Sequence, residues 1–146
     1  MGIDKFNAEG YHDPTTYTAL TNIHRDEMAA EKKAAYRPLV YICSPYAGDI
    51  TKNVMNARKY SRFAFEQKTI PLAPHLLFPQ FMNDENPEER EAALHFNYVL
   101  LGKCEELWVF GDIISDGMAH EIGIAKKRRQ KIRYFSDDCK EVSKDA

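Results

Sequence analysis

Cysteine is scarce in this chain: Cys43, Cys104 and Cys139 are odd in number and far apart. That excludes a disulfide framework and points to reduced thiols, as in a cytoplasm. Long apolar runs are missing too, so no membrane span is expected, and the N-terminus lacks the apolar segment of a signal peptide. Neither sign of charge dominates, the net value being -2, which gives no counterion-release drive toward a nucleic acid polymer. The basic run Lys126-Lys-Arg-Arg-Gln-Lys131 is a local exception. It falls late in a predicted helix, where cations suit the dipole, and reads as a solvated face. Metal-binding spacings are absent: there is no Cys-x-x-Cys, no His-Glu-x-x-His, and no second histidine at helical spacing from His75, His95 or His120. No Gly-x-Ser-x-Gly elbow and no Walker or dinucleotide glycine pattern occurs, so neither metal nor cofactor is expected. Cys43, in an apolar strand with no adjacent base, reads as core.

What is present is an ordinary globular composition, 44% hydrophobic and 29% charged over 146 residues, enough for one domain with one core. Residues 1–37 form a polar N-terminal extension. Within it Asp13-Pro14 is a helix start, and a helix runs from about Pro14 to Ala35 with a thin apolar stripe of Tyr17, Leu20 and Ile23. Such a stripe buries little alone, so the helix is expected to pack on the domain or on a second subunit. From Leu39 strand and helix patterns alternate. Strands are predicted at 39–43, 69–73, 107–110 and 131–135, the second demoted toward an edge by Pro71 and Pro74. Helices are predicted at about 51–67, 87–102 and 116–129, the first with Val54, Met55, Ala57, Tyr60, Ala64 and Phe65 on its apolar side. Residues 75–82 are too apolar for a plain surface linker. The stretch after Ser136 reads as a polar, frayed tail. The predicted fold is α/β: a doubly wound (Rossmann/flavodoxin-like) parallel sheet of four to five strands, over residues 38–136, with helices on both faces.

Ligands of such sheets bind beyond the carboxyl ends of the strands, and four segments converge there. Ser44-Pro-Tyr-Ala-Gly-Asp49 follows the first strand; Gly48 permits close backbone approach, while Asp49 either faces a ligand or simply caps the next helix. His75 follows the second strand with Phe78 nearby, where an aromatic ring can stack on a planar base. Asn97, inside a helix, is either a solvated polar residue or points into the site. The fourth segment runs from Glu106 to Ala125: a strand, a turn capped by Ser115 or Asp116, and a helix carrying Glu121. A carboxylate so placed is expected to be held ionised by the helix dipole and backbone donors, suited to attack on an anomeric carbon. The alternative is a surface glutamate complementing the dipole.

These segments carry a resemblance: Val40-Tyr-Ile-Cys-Ser-Pro-Tyr-Ala-Gly-Asp49, Pro74-His-Leu-Leu-Phe-Pro79, Lys103-Cys-Glu-Glu-Leu-Trp-Val-Phe-Gly111 and Ser115-Asp-Gly-Met-Ala-His-Glu-Ile-Gly-Ile-Ala125. The sequence resembles the nucleoside 2-deoxyribosyltransferase-like superfamily, and within it a bacterial and phage domain family of unknown function bearing that label. Characterised members carry a nucleophilic glutamate in Gly-x-Gly-x-Glu-x-Gly-x-Ala; here Gly117 to Ala125 matches, with Ala119 for the second glycine, so the resemblance gives that role to Glu121. It also makes Tyr41, Ser44, Tyr46, Gly48, Asp49, Ser115, Gly117 and Met118 substrate-binding candidates, alongside His75 and Phe78. Relatives protonate the leaving base with an aspartate where this chain has Asn97, which leaves that task to His75, Asp116 or water. Pro45 and Ala47 replace the arginine and small residues of nucleotide hydrolases, which argues against 5′-phosphate recognition. The resemblance implies cleavage or transfer of an N-glycosidic bond in a small nucleoside or nucleotide, in a homodimer or larger homo-oligomer sharing residues between sites. The competing expectations are a non-catalytic protein that captures a nucleotide-derived signal, and an assembly module driven by the N-terminal helix.

Overall fold

The computed structural model describes residues 14–143. Two compact units divide the chain, residues 1–36 and residues 37–146. In the first, helix α1 spans Pro14–Ala35, as its composition predicts, and ends on Lys32 and Lys33, whose charge complements the helix C-terminus. Asp13, the predicted cap, and the Tyr17 side chain lie outside the described residues.

The second unit is built on a five-stranded sheet in the order β2-β1-β3-β4-β5. β1 (Leu39–Cys43) pairs in parallel with β2 (Ile70–Leu72) on one side and with β3 (Glu106–Phe110) on the other. β3 pairs in parallel with β4 (Lys131–Phe135). Between them run helices α2 (Ile50–Glu66), α3 (Pro87–Lys103) and α4 (Asp116–Lys127). β2 is an edge strand of three residues, shorter than predicted, because Pro71 has no N–H to give and Pro74 already starts a 3-10 turn.

Residues after Ser136 depart from the expected frayed tail. Ser136 N donates to the Lys140 carbonyl at 2.8 Å, closing a turn, and β5 (Glu141–Val142) returns antiparallel to β4. Arg133 ties the return down: its Nε and Nη2 reach the Glu141 carboxylate at 2.7 and 2.8 Å. The guanidinium meanwhile lies 4.6 Å from the centre of the Trp108 ring.

Period-two alternation sends the strand side chains to two cores. Val40, Ile42, Trp108, Phe110 and Phe135 pack with Tyr60 and Ala64 of α2. Tyr41, Cys43, Leu107 and Val109 pack with Leu101 of α3 and with Met118, Ile122 and Ala125 of α4. The first core is aromatic: Phe110 stacks on Tyr60 at 4.4 Å and on Phe135 at 4.9 Å, with Phe63 edge-on to Phe135 at 5.3 Å. α2 sits one step differently from its predicted apolar side. Ala57, Tyr60 and Ala64 are buried, but Met55 and Phe65 are exposed, and Phe65 is covered by the guanidinium groups of Arg37 and Arg62. On the other face, Gln130 Nε2 donates to the carbonyls of Leu101 and Cys104, both at 2.8 Å, capping the end of α3. The basic residues of the run 126–131 are solvated as predicted except Arg128, which lies over the Tyr98 ring at 4.2 Å. Among the described residues no helix is long and apolar enough to cross a membrane.

Candidate active site

In a sheet of this order the chain reverses direction between β1 and β3, and the crevice opens at their carboxyl ends. A cleft of about 420 Å³ lies there, walled by the turn after β1, the turn after β2, the N-terminus of α4 and the first turns of α3.

Glu121 is the buried carboxyl group of this cleft. It is 9% exposed, and its Oε2 is buried with no hydrogen-bond partner. Burial pushes its pKa up to about 7, against a smaller downward pull from the hydroxyl of Tyr41. This corrects the expectation of a carboxylate held ionised by the helix dipole. Glu121 lies beyond the first turn of α4, where the dipole's reach has faded, and desolvation decides. Tyr41 approaches from β1; its Oη is buried and faces Glu121 without a hydrogen bond of ordinary geometry, and its own ionisation is pushed far out of the accessible range by burial and by Glu121.

Ser115, not Asp116, is the cap of α4, its Oγ accepting from Met118 N at 3.3 Å. Ser115, Asp116, Gly117 and Met118 all line the cleft. Met118 also closes its floor, its carbonyl 4.0 Å from the Cys43 thiol, which burial keeps protonated. Opposite, the His75 ring stacks on Tyr46 at 5.1 Å and its Nε2 contacts the Ser44 carbonyl at 3.0 Å. A carbonyl only accepts, so Nε2 carries the hydrogen; burial lowers the ring's pKa, leaving a neutral imidazole with that N–H committed. Ser44 Oγ is buried without a partner. Asn97 enters from α3 with Oδ1 buried and unpartnered, which decides between its two readings in favour of the cleft.

Of the residues singled out from sequence, Ser44, Tyr46, His75, Phe78, Asn97, Ser115, Asp116, Gly117, Met118 and Glu121 meet at this cleft. Tyr41 stands behind Glu121. Gly48 and Asp49 do not line it: Gly48 makes the turn at φ 97°, and Asp49 caps α2 by accepting from Lys52 N at 3.2 Å. Sequence reasoning missed the other wall, where Met82, Asp84, Glu89, Arg90 and Leu94 contribute. The apolar character of 75–82 was the available signal, since it marked a segment that had to cover something.

The model of a family described as "Domain of unknown function (DUF7768)" matches residues 38–135, from the residue before β1 to the end of β4. The chain belongs to this family. No curated protein matches it. Among solved structures, the DUF7768 chain is similar to a 2-deoxyribosyltransferase from Bacillus psychrosaccharolyticus, at 15% identity and a TM-score of 0.58, over 72% of this chain and 77% of that one. It is also similar to a 2-deoxyribosyltransferase from Leishmania mexicana, at 14% identity and a TM-score of 0.52, over 68% of this chain and 64% of that one. DUF7768 thus shares its fold with enzymes of deoxyribosyl transfer.

Proposed function

We propose that the cleft cleaves or transfers the N-glycosidic bond of a nucleoside-like compound, with Glu121 as nucleophile at C1′. The supporting observation is a nine-tenths buried carboxylate whose Oε2 has no protein partner and which faces a cleft of nucleoside size at the sheet's switch point. In this reading Tyr41 positions Glu121, Ser115 and Asp116 bind the sugar end, and Phe78 with Tyr46 flanks the base. Incubating the protein with a nucleoside and nucleotide panel and analysing products tests it: free base must be released by the native chain and not by Glu121→Ala. Equal turnover by the mutant overturns the assignment.

A specific observation favours a second reading, a non-catalytic protein that captures a nucleotide-derived ligand. Asn97 stands where an acid would help the base depart, and an amide has no acidic proton to give. A binder returns its ligand unchanged in mass while raising the melting temperature. Either reading includes self-association through α3, whose Leu94, Tyr98 and Val99 are 56%, 48% and 43% exposed. Leu94 also lines the cleft, so a second copy seated there would complete its wall. Light scattering at micromolar concentration tests this against Leu94→Glu.

A further inference from the structure

The two walls of the cleft together carry an unbalanced charge. Asp84, Glu89, Asp116 and Glu121 set four acidic side chains around the cavity against one guanidinium, that of Arg90. Glu89 is partly occupied, accepting from Asn83 N at 3.2 Å. The remaining lining is uncharged, a mixture of polar groups such as Ser44, Asn97 and Ser115 with the ring and apolar faces of Phe78, Tyr46 and Met82. Such a cavity repels a phosphate and favours a flat cation, which gains from both the carboxylates and the ring faces.

Apart from its carboxyl groups, the same cleft is short of acids that could protonate a departing base. Asn97 has no proton to give, Arg90 does not release one near neutral pH, and the one N–H of neutral His75 is engaged by the Ser44 carbonyl. A departing neutral purine or pyrimidine needs a proton, because its ring nitrogen leaves with an electron pair and negative charge. A base already bearing a positive ring nitrogen needs none.

We infer that the preferred substrate of the cleft is an unphosphorylated nucleoside whose base is a quaternised, cationic heterocycle, such as an N-alkylated purine or a pyridinium. The inference rests on the glycosidic reading of the site. Glu121, as carboxylate, attacks C1′, and the C1′–N bond breaks. Its electron pair returns to the cationic ring and cancels the charge, so the base leaves neutral without a proton. Water then attacks C1′ of the glycosyl ester, forming the C1′–OH of the free sugar. The water proton passes through a cleft carboxylate such as Asp116 to solvent, and Glu121 is restored as carboxylate. The incoming cation also favours ionised Glu121 at the moment the nucleophile is required.

The test compares matched pairs with the full chain: 7-methylguanosine against guanosine, and the same two bases on 2-deoxyribose, each rate divided by its spontaneous rate. A pyridinium riboside serves as a second cation. The expected result is release of free 7-methylguanine with an enhancement at least 10-fold above that for guanine. The pH profile for the pyridinium riboside, whose ring charge does not titrate, has only a rising limb, because no acid must stay protonated, and Asp84→Asn raises its KM several-fold. Enhancement as large for the neutral nucleosides, with a falling limb at high pH, overturns this inference and leaves the Glu121 glycosidase reading in place. No base release from any of the compounds, with no thermal shift, overturns both.

Discussion

The hydroxyl of Tyr41 on β1 and the carboxyl of Glu121 on α4 face each other inside the protein, and each shifts the ionisation of the other. The phenol dipole pulls the Glu121 pKa down, while burial, the larger effect, drives it up to about 7. Tyr41→Phe therefore removes the restraint and leaves the burial. If Glu121 is the nucleophile proposed above, the rising limb of the pH–rate profile is expected to move upward by roughly half to one pH unit. A limb that stays in place refutes the coupling.

Glu121 makes the fold less stable at neutral pH. A carboxyl with a raised folded-state pKa holds its proton more tightly when folded. Its contribution is intact below the unfolded value near 4.5 and is lost as pH rises to about 7. The difference corresponds to about 3 kcal/mol at pH 8. Glu121→Gln is expected to be stabilising at pH 8 by an amount of that order, and close to neutral at pH 4. Urea denaturation at the two pH values checks this, and equal effects at both would contradict it.

Gln130 bridges two carbonyls at the end of α3, that of Leu101, which also accepts from Cys104 N at 3.1 Å, and that of Cys104. Gln130→Met keeps the length of the side chain and removes the donor. A loss of about 1–3 kcal/mol is expected in chemical denaturation. A change below ~0.5 kcal/mol would mean that solvent takes over both bonds.

Trp108 and Glu141 both contact Arg133 but contribute unequally. Trp108 is 1% exposed, and Trp108→Ala should cost about 3–5 kcal/mol through the cavity it leaves. The Arg133–Glu141 pair is half open to solvent, so Glu141→Gln should cost under ~1 kcal/mol. Its effect should appear in faster hydrogen exchange at β5 rather than in the global transition.

The architecture was legible because its signals are periodic. Leu39–Cys43 and residues 107–110 are continuous apolar runs, and the sheet buries both their faces. β5 was not legible: two residues have no period, and their pairing comes from a guanidinium eight positions away. In the cleft, the turn after β1 and the start of α4 were readable because strand ends and helix starts are fixed by the fold. The charged wall was not, since Asp84, Glu89 and Arg90 look like any polar helix entrance until α3 folds over the cavity. Desolvation of Glu121 was equally hidden. A sequence shows a helix terminus, but not the depth at which a side chain one turn further in comes to rest.

The two ends of the sheet have a consequence for crowded solutions. One edge is the three-residue β2, interrupted by Pro71, and the other is the two-residue β5. Neither offers a row of free backbone groups long enough to template a foreign strand. Contact between molecules is thereby steered away from open-ended strand addition.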